Sequence, residues 1–298
     1  MVKNNLDILV LLREACDPRP PAMIAEGGAA IRDRGIRRIP NPDDLCALEE
    51  ALVLSNSLGA RVTALSVGPR RLDDLLRLAL SMGAERSLRI FDPALEGGDA
   101  ATDARLLARI LAILRPDLLF TGGRLLDRGD DPAAPLAAAT LGMPYVTAAV
   151  SVAVRDGGAE VVRKGDRGAR QRVAAALPCA VFFEGSLREP RVPGLEAVMD
   201  SLLENVEVWG LPDLGLPDCE LGATGALLLS GDYSFPRPDP LRVVTPDPSL
   251  PTFERILALL SGGISPREGR IHFGTAAEAA DGLYRIFCEA GLIPGAPE

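Results

Sequence analysis

The sequence predicts an α/β fold, a doubly wound and mostly parallel sheet, on three observations. Short runs that are apolar at nearly every position, with Leu6–Leu12 the first, suit strands buried on both faces. Those runs alternate with longer stretches whose apolar residues repeat at helical spacing. No hairpin signal joins the early strands, so the connections are right-handed crossovers and helices cover the sheet. Such sheets bind ligands outside the carboxyl ends of their strands, where the strand order reverses.

Leu6–Leu12 is the first strand, followed by a polar, Gly-rich excursion from Arg13 to Pro40. Asn41-Pro42-Asp43-Asp44 then opens a helix. The Asn side chain can cap it, Pro suits the first turn, and the acids oppose the helix dipole. Leu45, Leu48 and Leu52 repeat along it and Gly59 ends it. Arg61–Val67 is the second strand, Gly68-Pro69 turns into a helix that ends at Gly83, and Arg86–Phe91 is the third strand. A helix over Ala100–Leu114 and a strand over Asp117–Thr121 complete the alternation.

Pro132–Val154 carries no charge over a span long enough to cross a bilayer, but Pro135, Gly142 and Pro144 interrupt it. It divides into a short helix ending near Leu141 and a strand from Tyr145 to Arg155. Ala159–Arg163, Arg170–Ala176 and Ala180–Glu184 are further strands, and Gly194–Leu203 a short helix. A Pro-rich segment follows Trp209 through Pro251, and helices over Thr252–Leu260 and Ala276–Ala290 end the chain. Residues 1–208 are thus expected as one α/β domain, and 209–298 as a C-terminal arm with an extra segment and terminal helices.

Composition narrows the function. The 298 residues carry 32 Lys plus Arg against 41 Asp plus Glu, a net charge of −9, and only Lys3 and Lys164 are lysines. Without a clustered basic face this balance excludes wrapping of nucleic acid and disfavours anionic membranes. The five cysteines are scattered, odd in number and without a C-x-x-C pair, so reduced thiols and a cytoplasmic protein are expected. The start, Met1–Asp7, lacks the pattern of a secretion signal. One histidine and no Cys pair at ligand spacing leave no metal site to assign.

The usual catalytic signatures fail in turn. Neither lysine sits in a G-x-x-x-x-G-K-S/T loop, and no G-x-G-x-x-G follows the first strand. His272 is the only imidazole and no G-x-S-x-G elbow accompanies it, so no catalytic acid, base or nucleophile is assigned. What remains is a set of loops at strand ends: Leu11–Cys16, Val67–Arg70 and Thr121–Asp131. Thr121-Gly122-Gly123 can bring backbone N–H groups to an anionic ligand, or can be a tight turn that needs glycine.

Several motifs then occur in order: Asn41-Pro42, Ala47-Leu48-Glu49-Glu50-Ala51, Leu65-Ser66-Val67-Gly68-Pro69 and Ala79–Arg86. Thr121-Gly122, Leu141-Gly142-Met143-Pro144, Leu177-Pro178 and Glu189-Pro190-Arg191 continue the series. Together, over roughly Asp7–Trp209, they resemble the beta (small) subunit of electron-transfer flavoproteins. The resemblance implies the adenine-nucleotide-binding type of α/β fold, shared with universal-stress-like proteins. It also implies a heterodimer in which an alpha subunit carries FAD, while this subunit holds AMP or, in bifurcating relatives, a second FAD. Electrons would pass from dehydrogenases of the acyl-CoA type, as in fatty acid oxidation, to a quinone reductase or another acceptor.

By motif match, Leu11, Asn41, Asp44, Val67, Gly68 and the loop from Gly122 to Ala134 would surround the nucleotide. Within that loop the candidates are Gly122, Gly123, Arg124, Asp127, Arg128, Gly129 and Asp130. Pro190, Arg191 and Leu195, in a recognition loop near 189–200, would meet the partner dehydrogenase. Two departures from the family pattern stand out. Asp130 and Pro132 replace the hydroxyl and amide expected at the phosphate, adding a negative charge and removing an N–H. After Leu195 the usual lysine-rich run is replaced by one carrying Glu196, Asp200 and Glu204. A stand-alone adenine-nucleotide-binding module, or a scaffold subunit with a degenerate nucleotide site, are the rival readings.

Overall fold

The computed structural model describes residues 6–20, 36–129, 131–155, 157–184, 188–228, 246–260 and 274–289. The chain divides into two compact units, Met1–Phe235 and Pro236–Glu298.

In the first unit, β1 (Asp7–Leu11) is apolar at successive positions because both of its faces are covered. Ile8 and Val10 enter one core cluster, and Leu9 and Leu11 the other. Next come β2 (Glu14–Cys16) and β3 (Arg38–Pro40), which pair as a small antiparallel ribbon within what reads from the sequence as a polar, Gly-rich excursion. The alternation then runs α1 (Pro42–Leu58), β4 (Arg61–Val67), α2 (Asp73–Met82), β5 (Arg86–Ile90), α3 (Ala100–Leu114), β6 (Leu118–Gly122) and α4 (Ala133–Thr140). After these come β7 (Tyr145–Arg155), β8 (Gly158–Lys164), β9 (Arg170–Ala176), β10 (Cys179–Phe183), α5 (Leu195–Leu203) and β11 (Glu207–Trp209).

The large sheet has the order β11-β5-β4-β1-β6-β10-β7-β8-β9. Every pairing from β11 to β7 is parallel, and only β8 and β9 are antiparallel to their neighbours. From β1 the chain steps outward to β4 and β5, then returns to place β6 on the other side of β1. The carboxyl ends of β1 and β6 therefore flank the switch point where such sheets bind ligands. α1 and α2 cover one face through Leu48, Leu52, Leu75 and Leu76, and α3 and α4 cover the other through Leu107, Ile110, Leu111 and Ala137.

Two helix starts show how local sequence works here. Asp99 accepts from the Ala101 and Thr102 N–H groups while the Thr102 hydroxyl accepts from the Asp99 N–H, a reciprocal capping box that begins α3. α1 begins at Pro42 as expected, but the Asn41 side chain makes no capping bond, because it is used on the loop after β6. The uncharged stretch 132–154 resolves into α4, a turn at Gly142 with φ of 64°, and β7. No helix among the described residues is long and apolar enough to cross a membrane.

The first unit continues past residue 208, the border read from the sequence. β11 extends the sheet beside β5, and α6 (Leu211–Leu214) buries Leu211 and Leu214 in the second core cluster. α7 (Gly222–Gly225) follows. These pieces are too short to show periodicity, so they read as linker. The second unit contains α8 (Thr252–Leu260) and α9 (Ala276–Glu289), close to their expected bounds.

Candidate functional site

At the switch point a cavity of about 300 Å³ is lined by Leu11, Val67, Gly68, Asp127 and Arg128, all expected, and also by Arg13, Arg71, Asp103 and Asp131. Gly122, Gly123 and Arg124 instead line a neighbouring hollow with Phe182 and Glu184, and Asn41 and Gly129 line a third beside Arg124. Asp130 and His272 lie outside the described residues. The expected loops thus converge on one edge of the sheet, but the expected contact atoms are mostly spent inside the protein.

Asp44 is the clearest case. Its side chain is 1% exposed, at the start of α1, and its carboxylate accepts from the Gly122 N–H at 2.7 Å and the Thr121 hydroxyl at 3.2 Å. It also accepts from the Arg13 N–H at 2.9 Å and from the guanidinium at 2.6 and 3.0 Å. With that many donors, two of them cationic, this carboxylate ties β1, α1 and β6 together and leaves nothing for a ligand. Asn41 behaves similarly: its amide donates to the Arg124 carbonyl at 2.8 Å and accepts from the Leu126 N–H at 3.1 Å. Asp127 accepts from the Cys16 N–H at 2.9 Å, fixing the loop to β2.

The Thr121-Gly122-Gly123 turn is a packing feature. A Cβ on Gly122 would lie 2.4 Å from Cβ of Asp43 and 2.6 Å from Oδ1 of Asp44, so only glycine lets α1 approach β6 this closely. The Gly122 N–H goes to Asp44 and the Gly123 N–H to the Phe183 carbonyl at 2.7 Å, so neither is left for an anion. Arg124 sits 3.5 Å from Glu184 as an exposed ion pair.

Six carboxylates and four arginines line the switch-point cavity, so its own charge is negative. Arg71 is 2.9 Å from Glu14, and Arg13 pairs with both Asp44 and Asp131. The surrounding protein pushes the Asp103 carboxyl above its usual range even though its side chain reaches solvent, and Arg128 opposes that rise. Apolar walls from Leu11, Val67, Phe91 and Leu107 complete the cavity.

On the outside of α1 a second cluster holds the segment before α5. Arg191 forms a two-pronged bridge to Glu49, at 2.8 and 2.9 Å, and its backbone N–H donates to the same carboxylate at 3.1 Å. Arg188 donates to Glu50 at 3.0 Å, and the Cys46 thiol donates to the Arg188 carbonyl at 3.2 Å. Burial raises the Glu49 carboxyl, but the Arg191 bonds outweigh it and leave the group below its usual range. At Glu50 burial outweighs Arg188, and the carboxyl lies above its usual range.

Arg191, expected to face a partner, therefore anchors its own segment, and Pro190 is half-buried beside it. Leu195 is 79% exposed at the start of α5, with Val192 at 92% and with Met199, Leu202 and Leu203 also open to solvent. Ser201 on the opposite side of the helix is buried, where α5 packs on α2.

The loops Leu11–Cys16 and Gly122 to Ala134 are named from the sequence, but Arg13 and Asp131 within them are given no role, nor are Glu49 and Glu50. Arg13 had a signal: it is a cation within two residues of the apolar carboxyl end of a strand at the ligand-binding edge. Glu49 and Glu50 had a weaker one, two acids within a helix whose neighbours are apolar, which demands cations that only the tertiary fold supplies. Among the described residues no group of acids, cysteines or histidines is arranged to hold a metal ion.

Sheet order, switch-point cavity and an outward apolar helix define an α/β protein of the nucleotide-binding type with an exposed apolar helix face. Residues 29–214 match the electron transfer flavoprotein domain. The chain is 31% identical to electron transfer flavoprotein subunit beta of Clostridium acetobutylicum, over 74% of this chain and 85% of that protein. It is 32% identical to the caffeyl-CoA reductase-Etf complex subunit CarD of Acetobacterium woodii, over 73% and 84%, and 30% identical to protein FixA of Azorhizobium caulinodans, over 63% and 69%. The chain belongs to the electron transfer flavoprotein family, on the beta-subunit side, and so to a flavin-associated electron-transfer system.

The groups at the switch point do not fit the phosphate of an AMP or of a second FAD. The nearest guanidinium is already bonded on every nitrogen, the two glycine N–H groups are taken, Pro132 has none, and carboxylates outnumber cations. The apolar walls suit an adenosine-like body better than a charged group.

Proposed function

We propose that this chain is an electron-transfer flavoprotein beta subunit that pairs with a FAD-carrying alpha subunit in the cytoplasm. It would take electrons from a flavin dehydrogenase of the acyl-CoA type and deliver them to a quinone reductase or another acceptor. The observation that carries the reading is the family match over 29–214 combined with the apolar face of α5, which the family's docking role would use. The flavin supplies the redox chemistry, and this chain supplies position and recognition.

Each part of the docking element has a physical role under this reading. The Glu49–Arg191 and Glu50–Arg188 pairs are positioning contacts that fix the entry to α5. Leu195, free of the core, is the anchor that enters a slot on the dehydrogenase, and Val192 and Met199 widen the apolar patch. Glu196, Asp200 and Glu204 surround that patch with negative charge and select a partner surface bearing cations. The exposed free Cys219 and the absence of any disulfide among the described cysteines suit a reducing compartment.

A scaffold role with a degenerate nucleotide site is favoured by one observation, the acid-rich cavity, and is compatible with electron transfer through the alpha subunit's flavin. A stand-alone adenine-nucleotide module is disfavoured by the same cavity. The deciding experiment is co-expression with a candidate alpha subunit and recovery of a complex whose flavin absorbance is bleached by a dehydrogenase and its substrate. Failure to recover any flavin-bearing complex contradicts the proposal.

A further inference from the structure

At the switch point the carboxylate of Asp131 takes up a guanidinium and a helix N-terminal N–H, donors of the kinds that bind phosphate. Arg13 leaves the end of β1 with Nε donating to Asp44 at 3.0 Å and Nη2 donating to Asp44 at 2.6 Å and to the Gly122 carbonyl at 2.9 Å. Its remaining nitrogen, Nη1, donates to Asp131. The other oxygen of Asp131 accepts from the Ala133 N–H at 3.1 Å, the first residue of α4. One carboxylate thus bridges a guanidinium and a helix N-terminus, the two kinds of donor that elsewhere receive phosphate oxygens.

The surroundings set this apart from a chance surface pair. Arg13 and Asp131 are each only 14% exposed, and Arg13 is shared with Asp44, which is 1% exposed. The seat's donors are engaged, Pro132 removes the next N–H, and the acids lining the cavity outnumber its arginines.

We propose that Asp131 is a built-in substitute for a ligand phosphate, so that this subunit is structurally complete without AMP or a second FAD and accepts at most a neutral adenosine-like molecule in the cavity. The proposal rests on the beta-subunit reading only for the expectation that a phosphate belongs there. The pairing of carboxylate, guanidinium and helix end stands without it. The consequence is a subunit whose folding needs no nucleotide, and a complex whose only redox-active nucleotide is the alpha subunit's flavin.

The test uses the full chain as wild type, Asp131→Asn and Asp131→Ala. Asp131→Asn keeps an acceptor for the Ala133 N–H while removing the charge, and Asp131→Ala vacates the seat. Calorimetry should show wild type binding AMP no tighter than adenosine, with a melting temperature indifferent to inorganic phosphate. Asp131→Asn should bind AMP roughly tenfold tighter than wild type does, as one regained charge-assisted hydrogen bond allows, with adenosine unchanged. Asp131→Ala should melt lower than wild type and recover in millimolar inorganic phosphate. Wild type that prefers AMP over adenosine tenfold, or variants as indifferent to AMP and phosphate as wild type, would overturn the proposal. None of these readouts involves the alpha subunit, so failure to pair with a flavoprotein and failure of the phosphate substitute are separately visible.

Discussion

The switch-point edge of the sheet and the outer face of α5 belong to the same unit but leave opposite kinds of surface to solvent. At the edge, Arg13, Asp44, Asn41 and the turn at Gly122 satisfy one another, and the cavity they border is lined by more acids than arginines. On α5, Leu195, Met199, Leu202 and Leu203 are exposed although the segment leading into the helix is pinned by Arg191 and Arg188. Apolar groups held rigidly in water signal association, whereas polar groups paired internally signal structure. The contrast sets an exposed apolar helix face on α5 against an edge whose polar groups are largely paired within the protein.

The largest effect that would break this contrast is on the scaffold side. Arg13→Met leaves Asp44 and Asp131 without their cation, and loss of one partner from a buried pair costs about 3–5 kcal/mol, read as a lower urea midpoint. A loss below about 1 kcal/mol, the range of surface pairs, would show that the edge is not self-supporting. Next comes Leu195→Ala, which should leave the urea midpoint unchanged because the side chain is already in solvent. Binding to the partner dehydrogenase should weaken by about 1.5–3 kcal/mol, the value of one buried leucine, measured by titration of the assembled complex.

Arg191→Ala should have a smaller effect than either. It removes a partly exposed bridge worth about 1 kcal/mol, frees the 188–194 segment for proteolysis, and reduces partner affinity without altering the switch-point cavity. The smallest effect is expected from reversing Glu196, Asp200 and Glu204 together. The association rate and its salt dependence should change several-fold while dissociation stays nearly constant, as measured by stopped-flow at two ionic strengths. If neither changes, the acids of α5 are only a solvated helix face.

How far the sequence reveals the structure follows from the range of the interactions involved. β1, α3, β7 and α8 are legible to within a residue because periodicity, caps and breakers are local. The β2–β3 ribbon and β11 are not, since each has three residues and is stabilised by distant partners. The candidate site divides similarly: its loops are readable as strand ends, while the roles of their side chains are not. Asp44 and Asn41 match positions that the resemblance assigns to a nucleotide, yet in this chain they bond to residues about eighty positions away, a fact no spacing contains. The bridge from Arg191 to Glu49 is hidden for the same reason, because it spans 142 residues.

The most direct measurement is the nucleotide released from the assembled, purified heterodimer after denaturation, identified and counted by mass spectrometry. One FAD per heterodimer, with neither AMP nor a second FAD, is the predicted result. AMP or a second FAD present at one per heterodimer would contradict the account, because the switch-point edge would then hold a phosphate that its own Asp131 is placed to replace.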